Sequence, residues 1–347
     1  MALLLLTGSS TDDGYGVYAP TPLEFKVPEG WPKPASDIYA NNKLTEQGFR
    51  LGKKLFYDGK LSKDGEVSCA SCHQQFAAFA TFDHDLSHGV NNTLSTRNAP
   101  GLFNLAWKPY MHWDGGINHI EVQPLSPLTA PNEMGETLEN VIAKLKADTS
   151  YKRMFKAAFG DATINSQRML KAIAQFTGTL ISANSKYDKV KRGETTFTPF
   201  EEKGYMVFKS KCAGCHPEPF FTDFSFRNNG LTLNRFNDIG RQKITRKSSD
   251  SLKFMVPSLR NAQRTFPYMH DGRIYSIPQA IEHYRSGIAT EQPTLDSALR
   301  NRIQLTNLEK NQLVYFIYTL TDSSFTRELR YTPDGSNNVI NPGFDKH

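Results

Sequence analysis

The sequence predicts a mainly α-helical protein with long loops, built from two tandem domains that are related by internal duplication. Three observations lead to this fold class. A Cys-x-x-Cys-His pentad occurs once in each half, short segments of the first half are echoed in the second, and apolar residues recur at helical spacing in three stretches. The chain of 347 residues is long enough for two domains, each with its own core.

The two pentads account for all 4 cysteines and indicate covalent haem. In c-type attachment, two thiols form thioethers and the adjacent imidazole binds iron. A zinc site could recruit both cysteine pairs, but it would leave a histidine unexplained at the same offset in each. We therefore predict two cytochrome c-type haem domains and two covalently bound haem c groups, attached at Cys69, Cys72 and His73 and at Cys212, Cys215 and His216.

Echoes outside the pentads support the duplication. Residues 52–56 precede the first pentad much as residues 204–208 precede the second, each running from Gly to Phe. An Arg-Asn-Ala triplet followed by Pro-Tyr-Met-His begins at Arg97 and again at Arg260. In this alignment Met111 is the counterpart of Met269.

Apolar spacing predicts helices over residues 138–159, 166–183 and 307–321. Residues 91–131, in contrast, are rich in Pro, Gly and Asn and predict a long irregular loop, which inside a compact domain usually has a function. The expected organisation is a leader or N-terminal extension, a first haem domain and a second haem domain, at residues 1–40, 41–190 and 191–347.

The composition is that of a soluble globular protein, with 38% hydrophobic and 22% charged residues and no apolar run of membrane-spanning length. The formal net charge of +6 is reduced by the propionates of two haems, and no stretch resembles a nucleic-acid-binding patch. We interpret the basic balance as a docking aid for an acidic redox partner.

The N-terminus resembles the apolar part of a secretion signal that lacks its basic start. Ser9 stands where the lipidated cysteine of a bacterial lipoprotein cleavage box would be, and a disordered leader is the alternative. Covalent haem attachment in bacteria belongs to exported proteins, so a periplasmic location is expected, with or without a lipid anchor.

Glu133 is the first candidate for acid/base chemistry. It follows Gln123 by ten residues and Pro127 by six, and this spacing allows a carboxylate and an amide to lie over one haem face. A carboxylate there would take a proton from bound peroxide and return it to the departing oxygen. The alternative is a solvated charge near the start of the helix predicted at Leu138.

From about Gly48 to Thr321 the chain resembles the bacterial di-haem cytochrome c peroxidase and MauG family. The resemblance implies that Trp113 lies between the haems and that Gln123, Pro127 and Glu133 are the distal residues of a peroxide-reactive first haem. The second haem would relay electrons. An indole between two haems is an easily oxidised stepping stone, whereas the alternative is an aromatic core residue.

The resemblance also implies a calcium ion between the domains. Its ligands would be the Asn98 side chain and the backbone carbonyls of Thr265 and Pro267, which are the hard oxygen donors that calcium prefers.

The sixth ligand of the second haem departs from the usual family pattern. Seventeen residues after Pro267, where the peroxidases place a methionine, the chain has Tyr284, as in MauG. A phenolate stabilises higher oxidation states, whereas a thioether raises the potential. Met269 is the competing candidate for the sixth ligand. Because the first half has a counterpart, Met111, a structural role for Met269 is also open, and Tyr284 could equally be an aromatic residue of the core.

The first haem also departs from the pattern. The resting peroxidases carry a distal histidine seven residues before the Arg-Asn pair, a position occupied here by Val90. His88 is the candidate iron ligand from the same loop, with His84 further away, and a solvated loop histidine is the alternative. Without such a ligand the first haem would be open to peroxide.

Three functions follow. The first is a peroxidase that reduces hydrogen peroxide to water with electrons from a small cytochrome c or cupredoxin. The second is a MauG-like enzyme that oxidises aromatic residues of a partner protein through a shared high-valent di-haem state. Ser210 weakens the second, because MauG has a surface tryptophan there. A non-catalytic electron carrier is the third. Family members are often dimers, which leaves a homodimer open.

Overall fold

The computed structural model describes residues 18–334, so Ser9 and the proposed leader lie outside the described residues. The described chain is mostly helical, as predicted, with one short antiparallel pair of strands in which Phe226 lies opposite Met255. The strands are β1 (Phe226–Arg227) and β2 (Phe254–Met255). The helices are α1 (Glu46–Tyr57), α2 (Cys69–Cys72), α3 (Leu125–Thr129), α4 (Leu138–Ala147), α5 (Thr149–Phe159), α6 (Ser166–Thr177), α7 (Lys186–Lys191), α8 (Pro199–Lys211), α9 (Gln242–Thr245), α10 (Ile277–Glu282), α11 (Asn307–Tyr318) and α12 (Ser323–Thr326).

The predicted helices are present with shorter bounds. The single helix expected over residues 138–159 is two helices, because the side chain of Asp148 caps α5 by accepting a hydrogen bond from the Ser150 N–H. The helix expected to reach residue 183 ends at Thr177. The 91–131 segment is largely irregular, apart from α3 and short 3₁₀ turns.

Two helix pairs form the frame of the protein, and both cross closely at a glycine. A Cβ atom on Gly52 of α1 would lie 1.9 Å from the Ala172 carbonyl oxygen of α6. A Cβ atom on Gly204 of α8 would lie 2.0 Å from the Gln312 carbonyl oxygen of α11. Backbone-to-backbone approach of this kind requires glycine. The second pentad begins directly at the end of α8, and the first follows α1 after residues 58–68.

Buried apolar clusters lie around these helix pairs. Two of these clusters include buried side chains of α1 and α6, and a third includes buried side chains of α8, α10 and α11. The last described segment returns to the first half, where Phe325 packs on Phe79 with ring centroids 5.7 Å apart. Within residues 18–334, no helix has both the length and the apolar character needed to cross a bilayer.

One turn in each half, closed by a β-bridge, has the same backbone conformation as the other. The residues that correspond in these two turns are not the ones that the sequence alignment pairs. Met111 bridges to Ile117, and Tyr268 bridges to Ile274. Left-handed φ angles of 64° at His112 and 74° at Met269 follow these bridges directly. The pairing of Met111 with Met269 is therefore wrong, because the backbone places Met269 in the position that His112 occupies in the first half.

The Arg-Asn-Ala echo is displaced in the same way. Asn104 and Asn261 share a φ of 57°, and their N–H groups donate to Leu180 at 2.8 Å and to Leu320 at 3.1 Å, one after each long helix pair. Asn104, rather than Asn98, therefore occupies the position of Asn261. This leaves Asn98 free for a different contact, described below.

Candidate active site

Each pentad forms one tight turn that brings its two cysteines and its histidine together. In the first, α2 contains Cys69 and Cys72, and the His73 N–H donates to the Cys69 carbonyl at 2.9 Å. In the second, Cys212 caps α8, and the His216 N–H donates to the Cys212 carbonyl at 3.0 Å. The shared i to i+4 geometry places both thiols and the ring on one side of the turn.

Both imidazoles are oriented by a backbone carbonyl. His73 Nδ1 lies 2.8 Å from the Phe79 carbonyl oxygen, and His216 Nδ1 lies 2.9 Å from that of Phe221. An Nδ1–H that donates to a carbonyl leaves Nε2 as the nitrogen able to bind iron. Burial lowers the pKa of His73 to about 4 and also lowers that of His216, so both rings are neutral at pH 7.

The second attachment turn opens into a cavity of about 420 Å³. Its walls are mostly apolar, as a porphyrin requires, and include Ile281, Leu313 and Ile317. The lining groups able to bind iron or carry electrons include Cys212, Cys215, His216, Met269, Tyr284 and Trp113, together with the imidazoles of His112 and His270. The residues present therefore fit a covalently attached haem with His216 as the proximal ligand.

Both candidate sixth ligands of the second haem lie in this cavity. Tyr284 sits in a π-helical turn, His283–Gly287, a type of irregularity that is frequent at functional sites. Burial raises the pKa of Tyr284 to about 12, and a hydrogen bond from the Asn229 side chain opposes that rise by favouring the phenolate. The Asn229 amide also lies 3.4 Å from Met269 Sδ. Neither candidate is excluded by position.

Glu133 lies beside the first attachment turn. Burial raises the pKa of the Cys72 thiol, and the nearby Glu133 carboxylate raises it further. Burial also raises the pKa of Glu133 itself. Its backbone is held by hydrogen bonds from its own N–H to the Ala130 carbonyl at 3.0 Å and from the Val90 N–H to its carbonyl at 2.7 Å. A partly desolvated carboxylate held in this way is suited to proton transfer.

Gln123 and Pro127 precede Glu133 in the same segment, and a histidine that the sequence analysis missed, His112, joins Gln123 to the second cavity. The His112 ring is hydrogen-bonded to the Gln123 backbone, and burial lowers the pKa of His112. His112 is also close enough to His73 to act on its pKa, and it lines the second cavity. The Pro127 carbonyl accepts from the Met134 N–H at 3.1 Å, which closes the turn that carries Glu133.

Trp113 and the proposed calcium ligands form one network between the halves. The Trp113 indole N–H donates to the Asn98 carbonyl at 2.9 Å, and the Asn98 side-chain N–H donates to the Pro267 carbonyl oxygen at 2.6 Å. The Asn98 N–H donates to the His270 carbonyl at 2.9 Å. Thr265 and Pro267 line the cavity together with Asn98. Asn98 and Pro267 are thus joined by a hydrogen bond, and Thr265 lines the same cavity.

The structure does not bring His88 into this assembly. Its ring is exposed, with Nδ1 2.5 Å from Asn92 Oδ1, and it packs edge-on against His84. Val90, two residues later, is buried next to the Glu133 backbone. In this conformation the loop presents an apolar residue toward Glu133 and a histidine toward solvent.

The zinc alternative finds no support in the geometry. No disulfide joins any of the four cysteines, and among residues 18–334 no group of three or more His, Cys, Asp or Glu side chains converges as a metal site. Two separate attachment turns, each with an oriented histidine, instead define a di-haem c-type protein, and the half-buried Glu133 carboxylate lies beside the first turn.

Comparisons with known proteins agree with this class. The family model of the di-haem cytochrome c peroxidases matches residues 46–196. The MauG protein of Methylorubrum extorquens is 34% identical over 302 residues, with 85% of this chain and 83% of that protein covered. The cytochrome c551 peroxidase of Nitrosomonas europaea is 32% identical over 294 residues, with 83% and 84% covered. The chain belongs to the di-haem cytochrome c peroxidase and MauG family, whose members carry two c-type haems, and it is a peroxide-dependent oxidoreductase.

Solved structures show the same relationship. A MauG-like protein associated with microbial copper homeostasis matches with a TM-score of 0.83 and 30% identity, covering 89% of this chain and 99% of that chain. A di-haem peroxidase of Burkholderia thailandensis matches with a TM-score of 0.70 and 20% identity, covering 92% and 98%. The second likeness supports the fold alone.

Proposed function

We propose that this protein reduces hydrogen peroxide to water at its first haem, with electrons that arrive through the second haem from a small cytochrome c or cupredoxin. The observation that carries the proposal is the buried Glu133 carboxylate beside the first attachment turn. A pure electron carrier has no need of such a group. Haem bound at His73 would supply the redox-active iron that accepts the oxidising equivalents of peroxide.

The chain's own residues would handle the protons. The Glu133 carboxylate takes the proton of peroxide and returns it to the distal oxygen as the O–O bond breaks. Gln123 orients the peroxide through its amide, and Pro127 shapes the pocket wall and holds the turn of Glu133. Trp113, which lines the second cavity beside His112, would carry electrons between the two sites.

A second use of the same site is oxidation of aromatic residues on a partner protein. Tyr284 in the second cavity favours it, because an anionic oxygen ligand stabilises the higher oxidation states that such chemistry needs. The similarity to MauG proteins supports it as well. Ser210, at the surface position before the second pentad, indicates that the partner or the route of electrons differs from that of MauG.

We also propose a structural calcium ion that Asn98, Thr265 and Pro267 hold between the halves. The Asn98 side-chain N–H donates to the Pro267 carbonyl at 2.6 Å, and both groups would bind one cation if the amide turned its oxygen toward the ion. An ion there would lock the backbone that receives the Trp113 N–H. Calcium would therefore act on the relay between the haems rather than on peroxide directly.

The organisation and location complete the proposal. Two haem domains, at residues 41–190 and 191–347, would derive from one ancestral unit, as the matched glycine crossings and asparagine turns suggest. The protein would work in the periplasm, where c-type haem is attached, with or without a lipid anchor at the N-terminus. A homodimer is compatible with this arrangement.

The test begins with the haem content of the purified holoprotein, measured as the pyridine haemochrome per chain, followed by peroxide consumption with a reduced small cytochrome c as donor. Two haems per chain and donor oxidation at two equivalents per peroxide support the peroxidase. Peroxide reaction without donor turnover, but with oxidation of tyrosine or tryptophan in an added protein, supports the second use. Two haems that do not respond to peroxide would contradict both.

A further inference from the structure

Lys108 is a basic residue of the first half that faces the haem cavity of the second half. It lies between the Arg97 and Trp113 segments and lines the cavity that also contains Cys212 and Tyr284. No hydrogen bond or ion pair to its ammonium is present among residues 18–334. Part of its surface stays accessible in the open cavity, but protein surrounds the ammonium, and this desolvation lowers the pKa of Lys108 to about 8.

Two other basic side chains that line the cavity, Arg227 and Lys211, have their charges neutralised by carboxylates or exposed to solvent. Arg227 is neutralised by Asp223 at 2.7 Å and by Asp296 at 2.9 Å. Lys211 is exposed to solvent at the end of α8. Lys108 alone among these three combines a desolvated charge with no carboxylate. A buried ammonium without an anion is costly, so the cavity is expected to receive a negative group near Lys108 when it is filled.

A haem in this cavity brings two negative groups, its propionates. Cys212 and Cys215 fix the edge of the macrocycle that carries the vinyl-derived thioethers, and the propionates lie on another edge of the ring. We propose that Lys108 binds a propionate of the haem attached in the second half, so that the first half supplies a charge to the second haem. This inference rests on the proposed function, because it requires haem at His216.

The consequence is a first-half residue that sets the potential of the second haem. A positive charge close to a haem stabilises the reduced form, which has one positive charge fewer, so Lys108 should raise the midpoint potential. Lys108 also acts on the charge state of His112, which touches the Gln123 backbone. Lys108 is thus a positioning residue on the segment that links the two sites.

The test is the midpoint potential of each haem, measured by spectroelectrochemistry on the holoprotein and on the variants Lys108→Met, Lys108→Arg and Lys211→Met. Lys108→Met should disfavour reduction of the second haem about tenfold, which is 59 mV for a one-electron couple, and leave the first haem nearly unchanged. Lys108→Arg should restore the potential. Lys211→Met, which removes the same charge from an exposed position, should shift it much less.

The propionate itself is tested by resonance Raman spectroscopy. A shift of the propionate bending band in Lys108→Met, reversed in Lys108→Arg, supports pairing with the haem's own carboxylate. A changed potential with an unchanged band would assign the anion to solution instead and overturn the proposal, as would equal shifts in Lys108→Met and Lys211→Met. A wild-type protein with one haem per chain would contradict the proposed function first, whereas two haems with an unshifted potential in Lys108→Met would contradict only this inference.

Discussion

At the scale of single residues, the account depends on a carboxylate that is buried where a charge is expensive. Glu133 has no ion-pair partner among residues 18–334, and burial raises its pKa. The Glu133 N–H donates to the Ala130 carbonyl, and the Glu133 carbonyl accepts from the Val90 N–H. These two hydrogen bonds hold Glu133 beside Cys72. Its position therefore has a functional explanation in proton transfer, for which a raised pKa is an advantage.

Replacing Glu133 by Gln should keep both haems and the fold but reduce peroxide turnover about a hundredfold or more, because an amide cannot accept the proton. Steady-state peroxidase kinetics measure the effect. Glu139→Gln, an exposed acid on the next helix, is the matched control and should be near normal. Near-normal turnover in Glu133→Gln would show that another group is the base.

The same carboxylate predicts a pH dependence. The base must be ionised to accept a proton, and its pKa is raised by burial, so turnover should fall as the pH drops through that raised value. A pH profile of kcat/KM is the measurement. The acid limb should be present in the wild-type enzyme and absent from the residual activity of Glu133→Gln; an identical limb in both would assign it to another group.

Tyr284→Met should raise the potential of the second haem and shift its spectrum toward that of a His/Met-ligated haem, since a thioether favours ferrous iron. Magnetic circular dichroism and a redox titration would record both changes. Met269→Leu is the companion variant and should leave the ligand spectrum unaltered. If only Met269→Leu changes the spectrum, Met269 rather than Tyr284 binds the iron.

At the scale of elements, the helix pairs place the attachment turns. α1 and α6 cross at Gly52, and α8 and α11 cross at Gly204, with each crossing too close for a side chain. In the second half the crossing fixes where the pentad begins, because Cys212 directly caps α8. In the first half residues 58–68 separate α1 from α2, so the coupling of the attachment turn to the helix crossing is direct only in the second half.

Gly204→Ala should lower the thermal unfolding temperature of the holoprotein, because its Cβ would lie 2.0 Å from the Gln312 carbonyl oxygen and force the helices apart at a cost of about 1–3 kcal/mol. Lys203→Ala, at an exposed position of the same helix, is the control. Equal unfolding temperatures for the two variants would mean that the crossing tolerates a methyl group.

At the scale of the whole molecule, Arg97 joins the halves through a partly buried ion-pair cluster. Its guanidinium contacts Asp238 at 2.6 Å and Asp114 at 2.6 Å, next to Trp113. Burial by itself would raise the pKa of Asp238, but the hydrogen bond and charge of Arg97 outweigh it, and the pKa falls to about 2. The cluster therefore stabilises the relative placement of the two haem sites.

Arg97→Gln should destabilise the protein by up to about 3–5 kcal/mol, since it leaves the buried Asp238 with only the longer contact to Lys243 at 3.5 Å. Arg168→Gln, which removes the more exposed pair with Asp161, should cost under about 1 kcal/mol. Because the folded pKa of Asp238 is depressed from 3.8, its contribution is present above about pH 4 and is lost as the pH falls toward 2. Denaturant unfolding at pH 7 and pH 3 measures both effects; equal losses for both arginines would contradict this role of the cluster.

The sequence was sufficient for the features that depend on spacing along the chain. The pentads, the family motifs around Glu133 and the helical character all follow from residue types at fixed intervals. Residue identity could not reveal which positions of the two halves share a backbone conformation, because the left-handed φ angles fall at His112 and Met269, which the letter match does not pair. The sequence also could not reveal that Lys108 lines the cavity of the second half, because that depends on how the two halves pack.

The most direct test of the central claim is an electron paramagnetic resonance spectrum of the all-ferric holoprotein, before and after one equivalent of hydrogen peroxide. With His88 turned to solvent, the account predicts a high-spin signal from the first haem that disappears rapidly on addition of peroxide. Two low-spin haems that respond to peroxide neither in the all-ferric protein nor after one-electron reduction would contradict peroxide chemistry at the first haem.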